Sequence, residues 1–330
     1  FYPVIKSVLG RLSAFFSFSL GEVLVVLLLI VGMILLVTRI GGYRCIRKGM
    51  PEGEFSVFVL TDVWTMCNIC LVVLVLFQTL WGLNYHQPSL YEQLGLEVQT
   101  IDVQTLSDLL EDMAGTMAFE RKSLDKRPDG VVTTRASVDE ILARSFEIYR
   151  EASMKYDFIE APICPPKTLL TASFFSYNGI SGIYNPFTGE ANINQINSLY
   201  MLPAVALHEL SHQQGIAKED EANFIAFFIA HQSDDIFTRY SGHLLLLIYG
   251  LNNLKGIDEN AYLAVCDGLD EGIKKDMVAH NELWQRYDGP LESAQRFVND
   301  TYLKANGQSS GVEAYNEMVG LYIAWTVNNK

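Results

Sequence analysis

The stretch LPAVALHELSHQQGIAKEDEANF, residues 202–224, decides the fold of this chain. At its centre is an HExxH motif, in which His208 and His212 stand four positions apart and Glu209 follows the first histidine. Positions i and i+4 share one face of an α-helix, so the two imidazoles can bind one zinc ion while Glu209 acts as general base. The apolar run before the motif predicts a helix, and Gly215 is a suitable residue to end it. The alternative is an ordinary helix that carries two surface histidines.

A third protein ligand is expected, because zinc hydrolases usually bind zinc through three side chains and leave the fourth position for water. The metzincin pattern HExxHxxGxxH places its third histidine where this chain has Lys218, and an ammonium group has no lone pair for a metal. A second helix is predicted from Glu219, because acidic residues suit a helix N-terminus. Glu219 and Glu221 are both candidate ligands, but they point in different directions around that helix, so only one can reach the metal. For either carboxylate, the simpler interpretation is favourable charge at a helix N-terminus.

The segment EDEAN at residues 219–223 resembles the E-x-x-A-D pattern of gluzincin metallopeptidases, in the form found in membrane CAAX-type proteases and their heat-shock relatives. The resemblance implies that Glu219 is the third ligand and favours it over Glu221. It also implies that Asn223, which replaces the Asp of the pattern, accepts a hydrogen bond from a zinc-binding histidine. A neutral amide there would leave that histidine less basic than a carboxylate would. Only seven positions separate His212 from Glu219, which is short for gluzincins, so we expect a tight turn at Gly215.

The longer string HELSHQQGIAKEDEANF resembles the HExxHxxGxxxEDEANF hallmark of a bacterial membrane-protein family, domain of unknown function 3810. The resemblance extends to the segments 81–85, 180–194 and 306–315. It implies a membrane-tethered, metallopeptidase-like protein, and it does not supply a substrate.

Two apolar runs, 20–38 and about 57–83, are each long enough to span a bilayer. Trp81 and Tyr85, at the end of the second run, suit a membrane interface. A signal peptide explains the first run poorly, because it lies far from the N-terminus and a second run follows. We therefore predict two transmembrane helices within residues 20–86.

Residues 1–19 mix apolar and aromatic side chains with Lys6 and Arg11, which predicts an interfacial amphipathic segment. The loop between the two runs is rich in basic residues, and such short loops stay in the cytoplasm. These basic residues are Arg39, Arg44, Arg47 and Lys48. Residues 87–330 would then lie outside the cytoplasm, on the outer side of the bacterial cytoplasmic (inner) membrane.

Residues 87–330 are numerous enough for one domain with a sizeable core. Apolar residues recur at helical spacing near 103–122, 136–156, 199–214, 219–233, 235–253, 259–286, 289–305 and 312–328. Strands are predicted at 168–176 and 180–194, the second with a turn at 186–189. The expected fold is mainly α with a small β-sheet, an α+β zincin-like domain preceded by two transmembrane helices. The strand before the HExxH helix is either an edge strand that binds extended substrate, by analogy with gluzincins, or an ordinary hairpin.

The net charge of −14 argues against nucleic acid as a partner. Tyr315, in a context typical of a helix start, is a candidate for stabilising the oxyanion, a role that gluzincin-like sites often give to a late Tyr or His. Other tempting residues are interpreted as structural, namely Cys67 and Cys70 in the second apolar run and His231, His243 and His280. Cys164 and Cys266 can pair in an oxidising compartment, although two cysteines alone form no pattern.

These patterns predict a membrane-anchored zinc metallopeptidase in which His208, His212 and Glu219 bind Zn²⁺ and Glu209 is the catalytic base. Its predicted partners are the lipid bilayer and a polypeptide substrate, membrane-proximal or lipid-linked. The alternative is a non-catalytic, zinc-stabilised membrane scaffold or binding protein, although a purely structural site gains nothing from Glu209. A transporter or channel component is a third alternative, which two apolar spans with few charges disfavour.

Overall fold

The structure, a computed structural model, describes residues 2–46, 52–99 and 101–328. The helices are α1 (Tyr2–Ser13), α2 (Leu20–Ile46), α3 (Glu52–Leu80), α4 (Leu90–Leu94), α5 (Val103–Arg121), α6 (Val138–Lys155), α7 (Ala172–Tyr177), α8 (Leu202–Gln213), α9 (Glu219–His231), α10 (Ile236–Ile257), α11 (Glu259–Gly268), α12 (Glu271–Gln285), α13 (Pro290–Ala305) and α14 (Met318–Asn328). The strands are β1 (Lys167–Thr168), β2 (Gly182–Asn185) and β3 (Glu190–Ile193). Short 3₁₀ helices cover Gly82–His86, Leu199–Met201 and Gly311–Glu317. Of the predicted basic loop, Arg47 and Lys48 lie outside the described residues.

Helices α2 and α3 are long and apolar enough to cross a membrane, and their side chains are almost all exposed. The candidate spans are Leu20–Tyr43 and Glu54–Leu80. The two helices meet at the end far from the rest of the chain, where Arg39 approaches Asp62 to 3.3 Å and Tyr43 donates a 2.6 Å hydrogen bond to the same carboxylate. Their length and composition are compatible with a membrane anchor, as the sequence predicts.

The other end of this helical pair is fixed to the helical domain, by which we mean the part of the chain that follows α3. Glu190 of β3, fully buried, accepts hydrogen bonds from the backbone N–H groups of Leu20 at 3.0 Å and Gly21 at 2.8 Å, which are the first residues of α2. Lys167 of β1 neutralises the same carboxylate at 2.6 Å. Trp81, directly after α3, is buried with its ring centroid 4.8 Å from that of Tyr184. The start of α2 and the end of α3 therefore contact the same side of the domain.

Helix α1 lies against this side of the domain along one of its faces. Tyr2 and Lys6 are buried, and the Lys6 ammonium donates to the side-chain oxygen of Gln214 at 2.9 Å and forms an ion pair with Glu160. The opposite face is exposed and carries the apolar residues Val4, Val8 and Leu12 beside Arg11. The interfacial position of α1 stays a prediction. In that position, this exposed face would contact the membrane.

Helix α9 lies at the centre of the core. Every residue from Phe224 to Ala230 is buried, because neighbouring helices cover all sides of α9, with α8 and α10 in close contact. Outside a membrane, a helix that is apolar all round needs such an interior to be stable. The prediction of a mainly helical chain with a small sheet is confirmed at this level.

The sheet has the order β1-β3-β2, so β2 is an edge strand. Strands β2 and β3 form an antiparallel hairpin, with Gly182 opposite Ile193 and Asn185 opposite Glu190, and β1 runs parallel to β3. The predicted turn at 186–189 closes the hairpin, and Gly189 adopts a φ of 71° there. This hairpin lies directly before α8 in the chain.

Four predicted elements differ from the structure. The helix predicted at 199–214 begins as the 3₁₀ segment Leu199–Met201 and becomes α-helical only from Leu202. The strand predicted at 168–176 ends at Thr168, because the Glu22 carboxylate binds the next free backbone N–H groups, those of Leu170 and Thr171, and α7 follows. The single helix predicted at 259–286 is divided at Leu269, where Asp270 caps α12 through the Gly272 N–H. The last predicted helix, 312–328, begins as the 3₁₀ segment Gly311–Glu317 and becomes α-helical only from Met318.

Candidate metal centre

A tight turn between α8 and α9 brings the HExxH motif and Glu219 together. Helix α8 ends at Gln213, and Gly215 follows with a φ of 97°, a left-handed conformation that favours glycine. The Gly215 N–H donates to the carbonyl of His212 at 2.8 Å, and the Ile216 N–H donates to that of Ser211 at 3.3 Å. Because the chain reverses here, α9 begins beside the two histidines, and the short spacing is accommodated.

His208, His212 and Glu219 converge on one point. The Nε2 atoms of the two histidines lie 3.2 Å and 3.4 Å from the same Glu219 oxygen, Oε2. The imidazole rings are nearly perpendicular, at 87°, with centroids 4.6 Å apart. The three ligand atoms all lie within 4.8 Å of one another. Two imidazoles and a carboxylate in this arrangement form a donor set that is typical of a catalytic zinc site.

The spacing of these atoms fits a metal better than it fits hydrogen bonding. Glu219 Oε2 is buried and has no hydrogen-bond partner among the described residues, despite the two nearby nitrogens. Tetrahedral zinc with bonds of about 2.0–2.1 Å places its ligand atoms about 3.3 Å apart, which agrees with both distances from Oε2. The orphaned oxygen and the matched separations therefore fit Zn²⁺.

The backbone fixes the orientation of His212. Its Nδ1 contacts the carbonyl oxygen of Ile216 at 2.7 Å, and because a carbonyl can only accept, this nitrogen carries the proton. Nε2 then keeps its lone pair for the metal, which is the usual arrangement of a metal-binding histidine. The indole of Trp81 lies edge-on to the same imidazole at 5.8 Å.

Asn223 lines the same cavity as the three candidate metal ligands. Its side-chain amide donates a 3.2 Å hydrogen bond to the backbone carbonyl of Tyr315. His208 Nδ1 is buried without a hydrogen-bond partner among the described residues. A hydrogen bond from a ligand histidine to Asn223 stays a prediction. His208 is the candidate donor, because Nδ1 of His212 already binds Ile216.

Glu221 points away from the metal centre. Its Oε1 accepts hydrogen bonds from the Leu90 backbone N–H and the Lys218 ammonium, both at 3.0 Å. Of the two carboxylates that the sequence leaves open, the structure places Glu219 beside the histidines.

Glu209 is buried next to this centre, between α8 and the edge strand. Its Oε2 has no hydrogen-bond partner in the described part of the chain, and the carboxylate faces the backbone N–H of Tyr184. Gly182 allows this close approach, because a Cβ there would lie 2.5 Å from Glu209 Oε1. Burial raises the pKa of Glu209, and the Glu219 carboxylate acts in the same direction. A carboxylate with a raised pKa is a more effective proton acceptor.

The imidazoles of the two histidines and the carboxylate of Glu219 interact strongly through their charges. Burial by itself would lower the pKa of His212, but the adjacent Glu219 carboxylate raises that pKa to about 9. Burial opposes ionisation of Glu219, and the two histidines nevertheless hold its pKa well below the usual range. The site therefore pairs positive and negative charge, and a divalent cation can replace the proton that this pair shares.

The metal centre opens on a cavity of about 1510 Å³. Its walls come from the HExxH helix, the edge strand β2, helices α10 and α13, and the ends of α2 and α3 that contact the domain. Residues on these walls include Val25, Leu29, Phe77, Trp81, Ile183, Tyr184, Tyr249, Arg296, Asn299 and Tyr315.

Tyr315 lies in the 3₁₀ segment Gly311–Glu317. Its ring is stacked with those of His208 and Tyr249, with ring centroids 6.4 Å and 6.3 Å apart. Burial raises the pKa of its phenol well above the usual range, and Glu219 adds to this effect. The phenol therefore stays protonated and can donate a hydrogen bond. Its predicted role as oxyanion donor stays a prediction.

Sequence reasoning missed two residues that support the centre. Tyr249 stacks on Tyr315, and nothing in the sequence singles it out. Gln308 accepts a 3.4 Å hydrogen bond from the Glu219 N–H and donates to Asp220 at 3.3 Å. The segment 306–315, which carries part of the family resemblance, is the signal that points to Gln308.

The residues interpreted as structural lie outside the metal cluster. His243 is buried and contacts Glu120 and His231, each at 2.9 Å, and His280 contacts Ser198 at 3.1 Å. The four cysteines whose side chains are described, Cys67, Cys70, Cys164 and Cys266, are free.

A family model described as "Protein of unknown function (DUF3810)" matches residues 1–323. The chain belongs to the DUF3810 family. No curated protein and no solved structure matches it. The DUF3810 match spans the candidate membrane helices, the sheet and the metal centre, so these parts form one family unit.

Proposed function

We propose that the protein is a membrane-anchored zinc metallopeptidase with gluzincin-like chemistry in a zincin-like domain. The observation that carries the proposal is the convergence of His208, His212 and Glu219 within 4.8 Å, beside the buried carboxylate of Glu209. A buried base with an unpartnered oxygen next to three metal-binding groups is the arrangement that hydrolysis by activated water requires.

The residues have distinct roles in the proposed reaction. His208, His212 and Glu219 would hold zinc, which when bound would supply the Lewis acidity to acidify water and polarise a peptide carbonyl. Glu209 accepts a proton from the attacking water and passes it to the leaving amine as the C–N bond breaks. The Tyr315 phenol donates a hydrogen bond to the carbonyl oxygen as negative charge develops there.

The edge strand supports a polypeptide as substrate. The backbone N–H of Tyr184 is directed towards the Glu209 carboxylate, so this part of the β2 backbone faces the proposed catalytic base and not β3. An extended peptide can pair with such a free edge, which would place its carbonyl near the metal centre. Membrane helices fixed to the same side of the domain would keep the site near the bilayer, on the outer face of the bacterial cytoplasmic membrane if the basic loop is cytoplasmic.

A zinc-stabilised scaffold is the alternative. A structural zinc site closes its fourth position with a further protein ligand. Among the described residues the cluster has three members, and it borders a cavity large enough for a peptide. These two observations favour the enzyme.

Elemental analysis and peptide hydrolysis test the proposal together. We expect one zinc per chain in the wild type and in Glu209→Gln, and its loss in Glu219→Gln, while Glu221→Gln is the matched control that keeps zinc. Hydrolysis of a quenched peptide library should be abolished in Glu209→Gln and Glu219→Gln only. Zinc that is retained in Glu219→Gln and lost in Glu221→Gln would overturn the ligand set. No zinc in folded wild type would overturn the metalloenzyme.

A further inference from the structure

The cavity beside the metal centre continues along the candidate membrane helices. Val25, Val26 and Leu29 of α2 and Phe77 of α3 line it together with the zinc-binding residues. On α2 these positions follow helical spacing, so they form one apolar stripe on a single face. The metal centre and this stripe are walls of the same space.

This stripe extends well into the span. Leu29 lies nine residues after Leu20, which corresponds to about 13 Å along the helix, in a bilayer whose apolar core is about 30 Å thick. Val25, Val26 and Leu29 line the cavity and are 50%, 42% and 65% exposed, so no other part of the described chain covers them fully. Water is a poor occupant of such a wall, because contact between water and apolar side chains is unfavourable.

The position of the stripe relative to the metal centre is built into the fold. The Glu22 carboxylate accepts the backbone N–H groups of Leu170 at 2.6 Å and Thr171 at 2.9 Å. Together with Glu190, which binds the first N–H groups of α2, it fixes the helix to the sheet that carries the edge strand. A molecule that lies along α2 is therefore directed towards β2 and Glu209.

Exposed apolar side chains also surround the cavity on the domain side. Phe174 and Ile183 line it and are 62% and 39% exposed, and the neighbouring Leu170 is 64% exposed. Helix α13 presents Gln295 and Asn299 to the cavity, while Phe297 projects from another face of the helix and is 73% exposed. Exposed apolar side chains of this kind suit contact with a membrane.

We propose that the substrate is a polypeptide with a membrane-spanning segment, which enters between α2 and α3 and is cut just outside the bilayer. The apolar segment lies against Val25 and Leu29, and the chain that leaves the membrane pairs with the free edge of β2. This inference rests on the proposed peptidase activity. The edge strand favours a peptide over a lipid acyl chain, because only a peptide backbone can pair with it.

The test uses the zinc-loaded, full-length chain in liposomes of phosphatidylethanolamine and phosphatidylglycerol. The first probe has a twenty-residue Leu/Ala transmembrane segment followed by eight randomised residues, and the second has the randomised residues alone. A third probe carries a palmitoyl chain in place of the transmembrane segment. We expect the first probe to be cut at least ten-fold faster than the others, with cleavage sites clustered at the end of the apolar segment.

Two variants on the same helix separate use of the cavity from simple tethering to the membrane. Leu29→Trp places a larger side chain in the cavity. The ratio between the cleavage rates of the first and second probes should therefore fall at least ten-fold. Leu27→Trp is the matched control, since Leu27 is 53% exposed, lies at nearly the same depth on the opposite face, and should leave the rates unchanged.

Each contrary outcome has a separate meaning. Equal cleavage of the first two probes, or equal effects of the two Trp substitutions, would overturn the inferred substrate class and leave the peptidase intact. Preference for the palmitoylated probe would replace the spanning segment with a lipid anchor. No cleavage of any probe by protein with bound zinc would overturn the peptidase itself.

Discussion

The indole of Trp81 lies edge-on to the imidazole of His212, with ring centroids 5.8 Å apart and planes at 83°. Trp81 is the first residue after α3, and His212 is a candidate zinc ligand on α8. The end of a candidate membrane helix therefore contacts the metal centre directly. Because the Ile216 carbonyl also binds Nδ1 of this ring, His212 is held by both the backbone and the indole.

We expect Trp81→Ala to weaken zinc binding. The edge-to-face contact is worth about 0.5–1.5 kcal/mol beyond burial, so the affinity should fall by about two- to ten-fold as the ring of His212 loosens. Competition with a chromogenic chelator measures this change. Trp64→Ala is the control, because Trp64 lies within α3, is 71% exposed and is distant in sequence from the site. Equal zinc affinity in the two variants would contradict the positioning role of Trp81.

Gly182→Ala should separate metal binding from catalysis. The added Cβ would lie 2.5 Å from Glu209 Oε1, so the carboxylate must move, while its three nearest atoms include none of a candidate zinc ligand. Because general-base catalysis depends on the position of the base, we expect kcat to fall at least about ten-fold. Zinc content should stay at one per chain.

Gly256→Ala is the control for that experiment, since its Cβ would meet no atom within 4 Å. Loss of zinc in Gly182→Ala, or unchanged kcat, would show that the approach of β2 to Glu209 does not matter for the reaction.

The proximity of His208, His212 and Glu219 could be predicted from the sequence because the segments that carry them are local. His208, Glu209 and His212 lie on one helical turn, and Gly215 signals the reversal that delivers Glu219. What the sequence does not show depends on distant contacts. Tyr249 joins the site only because α10 packs beside α9, and no local pattern marks it.

The fold shows the same division. Regular helices with clear apolar spacing are found close to their predicted bounds. The strand predicted at 168–176 is wrong because Glu22, far away in the sequence, takes the backbone N–H groups that a strand needs. The break at Leu269 depends on a single capping residue, Asp270, within an otherwise helical pattern.

Removing Glu190 should destabilise the junction between α2 and the sheet. In Glu190→Ala, Lys167 would remain buried without its partner, and the Leu20 and Gly21 N–H groups would lose their acceptor. Breaking a buried ion pair on one side costs about 3–5 kcal/mol, so unfolding in detergent should require clearly less denaturant. Glu190→Gln keeps an acceptor and should lose less. Glu111→Gln, at an exposed position, should have no effect, and an equal loss there would contradict the specific role of Glu190.

His280 should make the stability of the fold depend on pH. Burial lowers its pKa from 6.5 to about 4, so between these values the unfolded chain binds a proton that the folded chain does not. Stability therefore falls as the pH drops below 6.5, by about 2 kcal/mol at pH 5 for this residue alone. His280→Asn keeps a polar partner for Ser198 and removes the titration, so it should lose less stability than the wild type between pH 7 and pH 5. Chemical denaturation at the two pH values measures the difference, and because every other titrating group, including His231, is present in both proteins, their contributions cancel. If the stability of His280→Asn relative to the wild type were the same at pH 7 and at pH 5, His280 would be accessible to protons in the folded state, and its burial against Ser198 and Trp284 would be incorrect.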